Sequence, residues 1–246
     1  LEEAPVGVAS VVLVATDWPD DLARAIRALV EHSPDGTQIV VVADDPSPGQ
    51  AAALEELDGA DPGAPGIATE VVWTSARLGW AAALNAGIRR AAAPVVIVLD
   101  TSVEPAGDVV TPLEAALEDE TIAVAGPFGI VSDDLRTFHE PADDAVDVDA
   151  IEGYAQAFRR ADYVERGPLD ERFVFYRNLD IWWSLVLRDE GEERPPRRAV
   201  SVAIPAVRHE HRGWTALPEA ERDRLSKRNF YRIIDRFGWR RDLAAG

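Results

Sequence analysis

Four short runs of apolar, largely β-branched residues constrain this chain more than any other feature, because each ends at a polar or turn residue and the stretch after it is helix-like. Val8 to Ala15, Gln38 to Ala43, Glu70 to Thr74 and Val95 to Leu99 are strand-length. They are nearly continuous in apolar character, the pattern of strands covered on both faces rather than on one. Pro19, Asp20 and Asp21 open an amphipathic helix to about His32, and the turn Asp44-Asp45-Pro46-Ser47 precedes an Ala-rich helix to about Leu57. Asp58 to Gly66 reads as a loop, and Leu78 to Ala92 as a third helix. Strands alternating with helices at this spacing predict an α/β fold, a Rossmann-like and mostly parallel sheet with helices on both faces. Ligands of such sheets bind beyond the carboxyl ends of the strands. Asp17, Asp44, Asp45 and Asp100 should therefore gather along one edge.

Past Asp100 the alternation loosens. Gly107 to Leu117 reads as a helix, Ile122 to Ala125 as a strand, and Ser132 to Asp149 as an acidic loop of a length usually reserved for function. Asp147 to Phe158 reads as strand, Leu179 to Asp189 as helix, Ala199 to Ile204 as strand, and Pro218 to Phe237 as a long terminal helix. At 246 residues and 47% hydrophobic, the chain can bury the core of one large domain.

Charge and composition narrow the function. A formal charge of -19 opposes nucleic acid as a partner over most of the surface. The exception lies between Arg208 and Arg241, where Arg222, Arg224, Lys227, Arg228, Arg232, Arg236 and Arg240 make a basic helix that can face a membrane surface or an acidic protein. The apolar runs are too short to cross a bilayer, and the opening residues lack the pattern of a secretory leader. The expected location is the cytoplasm, with contact at the inner face of the membrane as the variant. There is no Cys, so a metal would need carboxylate, hydroxyl or imidazole ligands.

Several segments, in order, resemble the family 2 glycosyltransferases of the GT-A fold. Val11 to Thr16 corresponds to the first strand and nucleotide loop, which here ends Ala15-Thr16-Asp17-Trp18. Val41-Val42-Ala43-Asp44-Asp45-Pro46-Ser47 resembles the Val-Asp-Asp-Gly-Ser turn. Gly79 through Ala83 and Asn85 to Gly87 resembles the Gly-x-x-x-Ala-x-Asn-x-Gly helix. Val98-Leu99-Asp100-Thr101-Ser102 resembles the strand that delivers an Asp-x-Asp, with Ser102 in place of the second carboxylate. Gly153-Tyr154 to Arg159-Arg160 and Gly167-Pro168-Leu169-Asp170-Glu171-Arg172-Phe173 resemble the acceptor-side run.

The resemblance implies residues 1–105 as a nucleotide-sugar-binding half, 106–216 as a smaller acceptor and catalytic subregion, and 217–246 as the basic helix. It implies a donor nucleoside diphosphate sugar held by Thr16, Asp17, Asp44, Asp45, Arg77, Gly79, Asn85, Asp100 and Ser102. Asp180 takes the general-base position of an inverting transfer, with Leu179 where the family has Glu. Asp170, Glu171, Trp182 and Trp183 fall on the side of the acceptor, a glycan or lipid-linked sugar, although the two tryptophans equally suit core packing. Asp100 with His209 or His211 is the expected ligand set for Mn²⁺ or Mg²⁺, and the two histidines share a face if that segment is extended. Arg208 and Arg212 are alternative cations for the diphosphate. Ser102 and Leu179 leave open a rival reading, a GT-A-like module that binds without transferring. A nucleotidyltransferase is disfavoured, because Trp18-Pro19-Asp20-Asp21 is opposite in charge to the Gly-rich phosphate loop such an enzyme needs.

Overall fold

The computed structural model describes residues 8–59, 66–142 and 146–244. Most of the predicted loop after Asp58 and part of the acidic stretch before Asp149 lie outside the described residues. The first half alternates as its sequence dictates: β1 (Ala9–Ala15), α1 (Pro19–His32), β2 (Gln38–Ala43), α2 (Pro48–Gly59), β3 (Ala68–Trp73), α3 (Trp80–Arg90) and β4 (Val95–Leu99). The second half is more broken: β5 (Val103–Pro105), α4 (Val110–Ala116), β6 (Ile122–Gly126), β7 (Gly129–Ile130), β8 (Asp147–Val148), β9 (Ala150–Ile151), β10 (Ala155–Arg159), α5 (Arg160–Arg166) and α6 (Leu179–Arg188). It closes with β11 (Arg198–Ser201), β12 (Ala206–Arg208), α7 (Arg212–Thr215) and α8 (Glu219–Phe237). The single strand expected over Asp147 to Phe158 is three short ones.

One eight-stranded sheet, ordered β3-β2-β1-β4-β10-β6-β11-β8, carries the fold. It is parallel from β3 through β4 and between β6 and β11, whereas β10 runs antiparallel to both its neighbours and β8 antiparallel to β11. Both faces are covered. Val12, Val14, Val40, Val42, Val96 and Val98 pack under α3, α6 and α8. The residues between them, Val11, Leu13, Ile39, Val41 and Ile97, pack under α1, α2 and α4. Period-two alternation across two cores explains why these strands read as unbroken apolar runs. Helix α3 sits unusually close to the sheet: a Cβ at Gly87 would lie 2.5 Å from Val12 Cγ1 and 2.8 Å from Val42 Cγ2, so only glycine fits.

The antiparallel β10 is what completes the working edge. Ala155 pairs with Leu99, so the start of β10 lies beside the end of β4, and the Asp100 N–H donates to the Tyr154 carbonyl at 2.9 Å. A second, two-stranded sheet of β5 and β12 returns the chain after β12 to the same place, where His209 N–H donates to the Ser102 carbonyl at 2.8 Å. Three sequence-distant segments thus converge on the carboxyl end of β4.

Candidate active site

The ends of β1, β2 and β4 open into a cleft of ≈ 290 Å³ lined by Thr16, Asp17, Asp44, Arg77, Gly79, Asp100 and Ser102, with Trp18, Tyr176 and Arg212 completing its walls. Seven of the nine residues expected at the donor site meet there. Asp17 Oδ1 accepts from the Ser47 hydroxyl at 2.9 Å, tying the loop after β1 to the loop after β2. Asp44 accepts the N–H groups of Leu78 at 2.6 Å and Gly79 at 3.2 Å, and so fixes the turn into α3. Gly79 has φ of +89°, a conformation that a side-chain-bearing residue adopts only under strain, and that turn brings backbone to the cleft. Asp45 is exposed, lies outside the cleft lining and meets Arg77 at 3.7 Å.

Asn85, expected at the donor site, does not line this cleft. It is fully buried, its Nδ2 donating to the Leu169 carbonyl at 2.9 Å and to Glu171 Oε1 at 3.1 Å, its Oδ1 accepting from Leu169 N–H at 2.9 Å and Tyr163 OH at 3.2 Å. Lying on the buried face of α3 with Ala81, Leu84 and Ile88, it clamps the 167–173 segment to that helix. Glu171 is spent on Asn85 and on Arg89 at 3.9 Å, and Asp170 is gripped by Arg172 through bonds of 2.6 to 2.9 Å. Neither lines the hollow that Asp180 faces. Trp182 and Trp183 are 5% and 1% exposed and belong to the core, where Trp183 packs edge-on to Phe158 and Tyr163; only Trp183 reaches the hollow wall.

The two histidines part company. Strand pairing stops at Arg208, and beyond it the two side chains take different partners. His209 Nε2 meets Glu104 at 2.6 Å, whereas His211 Nε2 lies 3.2 Å from Asp100 Oδ2. His211 also caps α7, its Nδ1 accepting the Trp214 N–H at 3.1 Å, which places the ring proton on Nε2 facing Asp100. Asp100 Oδ1 takes the Ser102 N–H at 2.8 Å and the Ser102 hydroxyl at 2.5 Å. Burial alone would raise the Asp100 carboxyl, but the hydrogen bond and charge of His211, with the two bonds from Ser102, outweigh it and hold the group below the ordinary carboxylate range. Burial opposes charge on His211 as well, and Asp100 overrides it, pushing the imidazole up.

Beside the cleft is a narrower hollow of ≈ 50 Å³ that shares Trp80, Asp100, Tyr176 and His211 with it and reaches Asp180 on the far side. Asp180 lies in the first turn of α6. Its Oδ2 accepts the Gly153 N–H at 2.8 Å and its Oδ1 the Ile181 N–H at 2.9 Å. A Cβ at Gly153 would sit 3.3 Å from Asp180 Cβ, so glycine lets β10 and α6 approach. Gln156 locks that approach, its Nε2 bonding the Asp180 carbonyl at 3.2 Å and the Ser184 hydroxyl at 2.9 Å. Burial pushes the Asp180 carboxyl above its usual range against the Gly153 N–H and the charge of Arg177.

Sequence reasoning missed Glu152, Tyr154, Tyr176 and Arg177, all on the hollow's wall. Tyr176 stacks on the His211 ring with centroids 4.4 Å apart. Glu152 is raised chiefly by burial and then by the charge of Asp180, with Arg208 and Arg177 opposing. Glycine at 153 was the signal available for Glu152, because close backbone approach to an acidic helix start brings its neighbour along. Arg177, together with Arg222, flanks the Trp214 ring at 5.4 and 4.8 Å, pinning α7 over the cleft. Arg212 contributes a second anchor, 3.3 Å from buried Asp21 of α1.

Residues 10–177 match the glycosyl transferase family 2 model, more than half of the chain. The chain belongs to that family. Its α/β fold has a mixed, mostly parallel sheet, and the family's chemistry is sugar transfer from a nucleotide sugar. Solved structures with the same fold include a mannosyltransferase, PcManGT from Pyrobaculum calidifontis, in complex with GDP-Man and Mn²⁺, at 19% identity and TM-score 0.59, matching 81% of this chain and 57% of that one. GalNAc-T7 with UDP, GalNAc and Mn²⁺ is similar at 17% identity and TM-score 0.68, matching 92% of this chain and 48% of that one. TarS 1-349 of S. aureus in complex with UDP matches 92% of this chain and 72% of its own, at 11% identity and TM-score 0.58. The chain spans roughly half the length of the first two. No curated protein matches.

The basic helix is only partly a free surface. Arg232 lies over Phe173 and Arg240 is 6% exposed between Asp189 and Asp242, whereas Arg224, Lys227, Arg228 and Arg241 point outward and Arg236, although over Trp182, is exposed. Among the described residues no helix is long and apolar enough to cross a membrane.

Proposed function

We propose that this protein transfers a hexosyl group from a nucleoside diphosphate sugar to an acceptor hydroxyl by single displacement with inversion. The observation that carries this reading is the shared wall: Asp100 and His211 front the cleft at the strand ends, and Asp180 faces the same hollow from the other side. A leaving-group site and a base site thus flank one space. The acceptor hydroxyl gives its proton to Asp180 while its oxygen attacks the anomeric carbon; the bond to the diphosphate oxygen breaks, and the nucleoside diphosphate leaves with the electron pair. Burial suits Asp180 to the task, since a carboxylate lifted toward the working pH is a stronger base. Gly153 and Gln156 hold it in place.

On the donor side, Asp44 keeps a lone pair beyond those taken by Leu78, Gly79 and Thr74 for an imide or amino N–H of the base, and Arg77 and Arg212, positioned by Asp45 and Asp21, line the cleft where phosphate oxygens would lie. Asp100 Oδ2 and His211 Nε2 converge at 3.2 Å, a carboxylate and imidazole pair suited to Mn²⁺ and less to Mg²⁺, in which Asp100 would ligate directly and His211 only once Nε2 has given up the proton it shares with Asp100. No group of three or more acidic or histidine side chains that could hold a metal is present among the described residues, so the diphosphate itself and water must fill the remaining positions. When bound, a divalent cation there supplies positive charge to the departing diphosphate. Ser102 contributes no charge and instead orients Asp100.

The test is release of nucleoside diphosphate from a panel of nucleotide sugars, with Mn²⁺ and a mixture of saccharide acceptors, in the wild type and in Asp180→Asn. Turnover with inverted product in the wild type and its loss in the variant are expected. Nucleotide binding with no turnover in either would instead favour a binding module.

A further inference from the structure

The wall that carries Asp180 has a second opening. Away from the donor cleft, Asp180, Glu152 and Arg177 also line a cavity of ≈ 300 Å³ formed with Phe138, Glu140 and Phe230. Glu140 and Glu152 continue from there into a further groove of ≈ 800 Å³, walled by Phe128, Pro141, Val146 and Arg208. Glu152 thus borders the hollow, the cavity and the groove. The three make one path that starts at the proposed base and runs away from the nucleotide.

We propose that this path is an acceptor groove for a neutral oligosaccharide chain several sugar units long, a substrate class that rests on the transferase reading above. Three features select it. First is extent: at ≈ 300 and ≈ 800 Å³ the two outer sections far exceed the ≈ 50 Å³ hollow where chemistry would occur, more than one attacking sugar requires. Second is lining chemistry. Phe128, Phe138 and Val146 offer apolar surfaces of the sort on which the C–H faces of pyranose rings lie, and Val146 is 58% exposed although apolar. Between them, Glu140 and Glu152 offer paired acceptors for adjacent sugar hydroxyls. Arg208 stands at this surface, its side chain 42% exposed, but its guanidinium is tied to the walls, stacked on Tyr154 at 4.3 Å and Phe128 at 5.2 Å and lying 3.6 Å from Glu152.

Third is charge. Around Asp180 the cavity holds three carboxylates, Asp180, Glu140 and Glu152, against the single guanidinium of Arg177, with His139 beside them. That balance repels a phosphate or uronate close to the reacting hydroxyl and leaves neutral polyols undisturbed. A lipid-phosphate-linked acceptor would have to place its anionic linkage elsewhere.

The experiment titrates the intact protein, with a nucleoside diphosphate from a uridine, guanosine, adenosine, cytidine and thymidine panel, against neutral gluco-, manno-, xylo- and chito-oligosaccharides of one to six units and against phosphorylated and uronate chains of the same lengths, followed by calorimetry and protein NMR. Affinity for at least one series should rise tenfold or more from the monosaccharide to the tetrasaccharide and then level off. Glu140→Gln, an exposed residue outside the catalytic machinery, should lower affinity for the tetrasaccharide severalfold and leave nucleotide affinity unchanged. Phe128→Ala should do the same, with its melting temperature recorded to exclude unfolding. Flat dependence on chain length, no binding by any hexasaccharide, or tighter binding of phosphorylated or uronate chains would overturn the proposal. Nucleotide binding in the same samples separates the two claims: if it persists while oligosaccharides fail, only the groove falls, and if no nucleotide binds, the transferase reading falls with it.

Discussion

Asn85→Ala separates a motif's apparent role from its physical one. The side chain satisfies both backbone groups of Leu169, N–H and C=O at 2.9 Å each, in a place where Leu169 is 3% exposed and Asn85 fully buried. Truncation leaves those two groups, and the Tyr163 hydroxyl, without their partner. An unmet buried polar group costs about 1–3 kcal/mol, so the two backbone groups together should cost about 2–6 kcal/mol, less whatever a water entering the space recovers. Urea unfolding followed by tryptophan fluorescence reads that loss as a lower midpoint at unchanged slope. Titration of the still-folded variant with nucleoside diphosphate should give the wild-type affinity, since Asn85 does not reach the cleft. Asn85→Asp should be no better, because its second oxygen would face the Leu169 carbonyl and Glu171 instead of donating to them. Unchanged stability accompanied by lost nucleotide affinity would refute the clamp and restore the donor-site role.

Asp180→Asn should lower transfer by about 10²–10⁴-fold, the usual contribution of a general base, while nucleotide affinity stays level. At neutral pH the amide removes the cost of a buried charge, since a carboxyl whose folded value is raised favours the fold while protonated and loses that contribution as pH rises through the raised value; against this gain, its NH2 faces one of the two N–H groups, of Gly153 or Ile181, that Asp180 accepts. Transfer plotted against pH should show an acid limb set by Asp180, with its midpoint above the ordinary aspartate value of 3.8; a limb at or below that value would contradict the burial. Gly87→Ala places a methyl 2.5 Å from Val12 Cγ1 and should destabilise by about 1–3 kcal/mol in chemical denaturation, as overpacking does.

What could be read from the sequence, and what could not, divides along local and non-local physics. The strands β1, β2 and β4 were legible because continuous β-branched runs have few other ways to bury themselves, and the position of Asp100 followed from the end of such a run. Resemblance supplied Asp180, and the first turn of α6 is where the structure has it. The antiparallel insertion of β10 was invisible, since pairing Ala155 with Leu99 across more than fifty residues leaves no local pattern. That insertion is what brings Glu152 and Gly153 to the site. The histidines were judged on a local assumption, that alternation puts His209 and His211 on one face; β12 ends at Arg208, and past it His209 meets Glu104 while His211 meets Asp100. Asn85 was assigned by motif, although its spacing from Ala81 and Ile88 already put it on the buried face of α3. Trp182 and Trp183 followed the general rule that large aromatics next to a sheet are core.

The central claim is that the cleft at the ends of β1, β2 and β4 holds a nucleoside diphosphate through Asp100 and His211. Isothermal titration of the protein with uridine, guanosine, adenosine, cytidine and thymidine diphosphates, with and without Mn²⁺, tests it directly. The account predicts that at least one binds with 1:1 stoichiometry, more tightly with Mn²⁺, and that Asp100→Ala abolishes the gain from the metal while the protein remains folded. Absence of binding by all five, or an Asp100→Ala protein that binds as the wild type does with the same response to Mn²⁺, would contradict it.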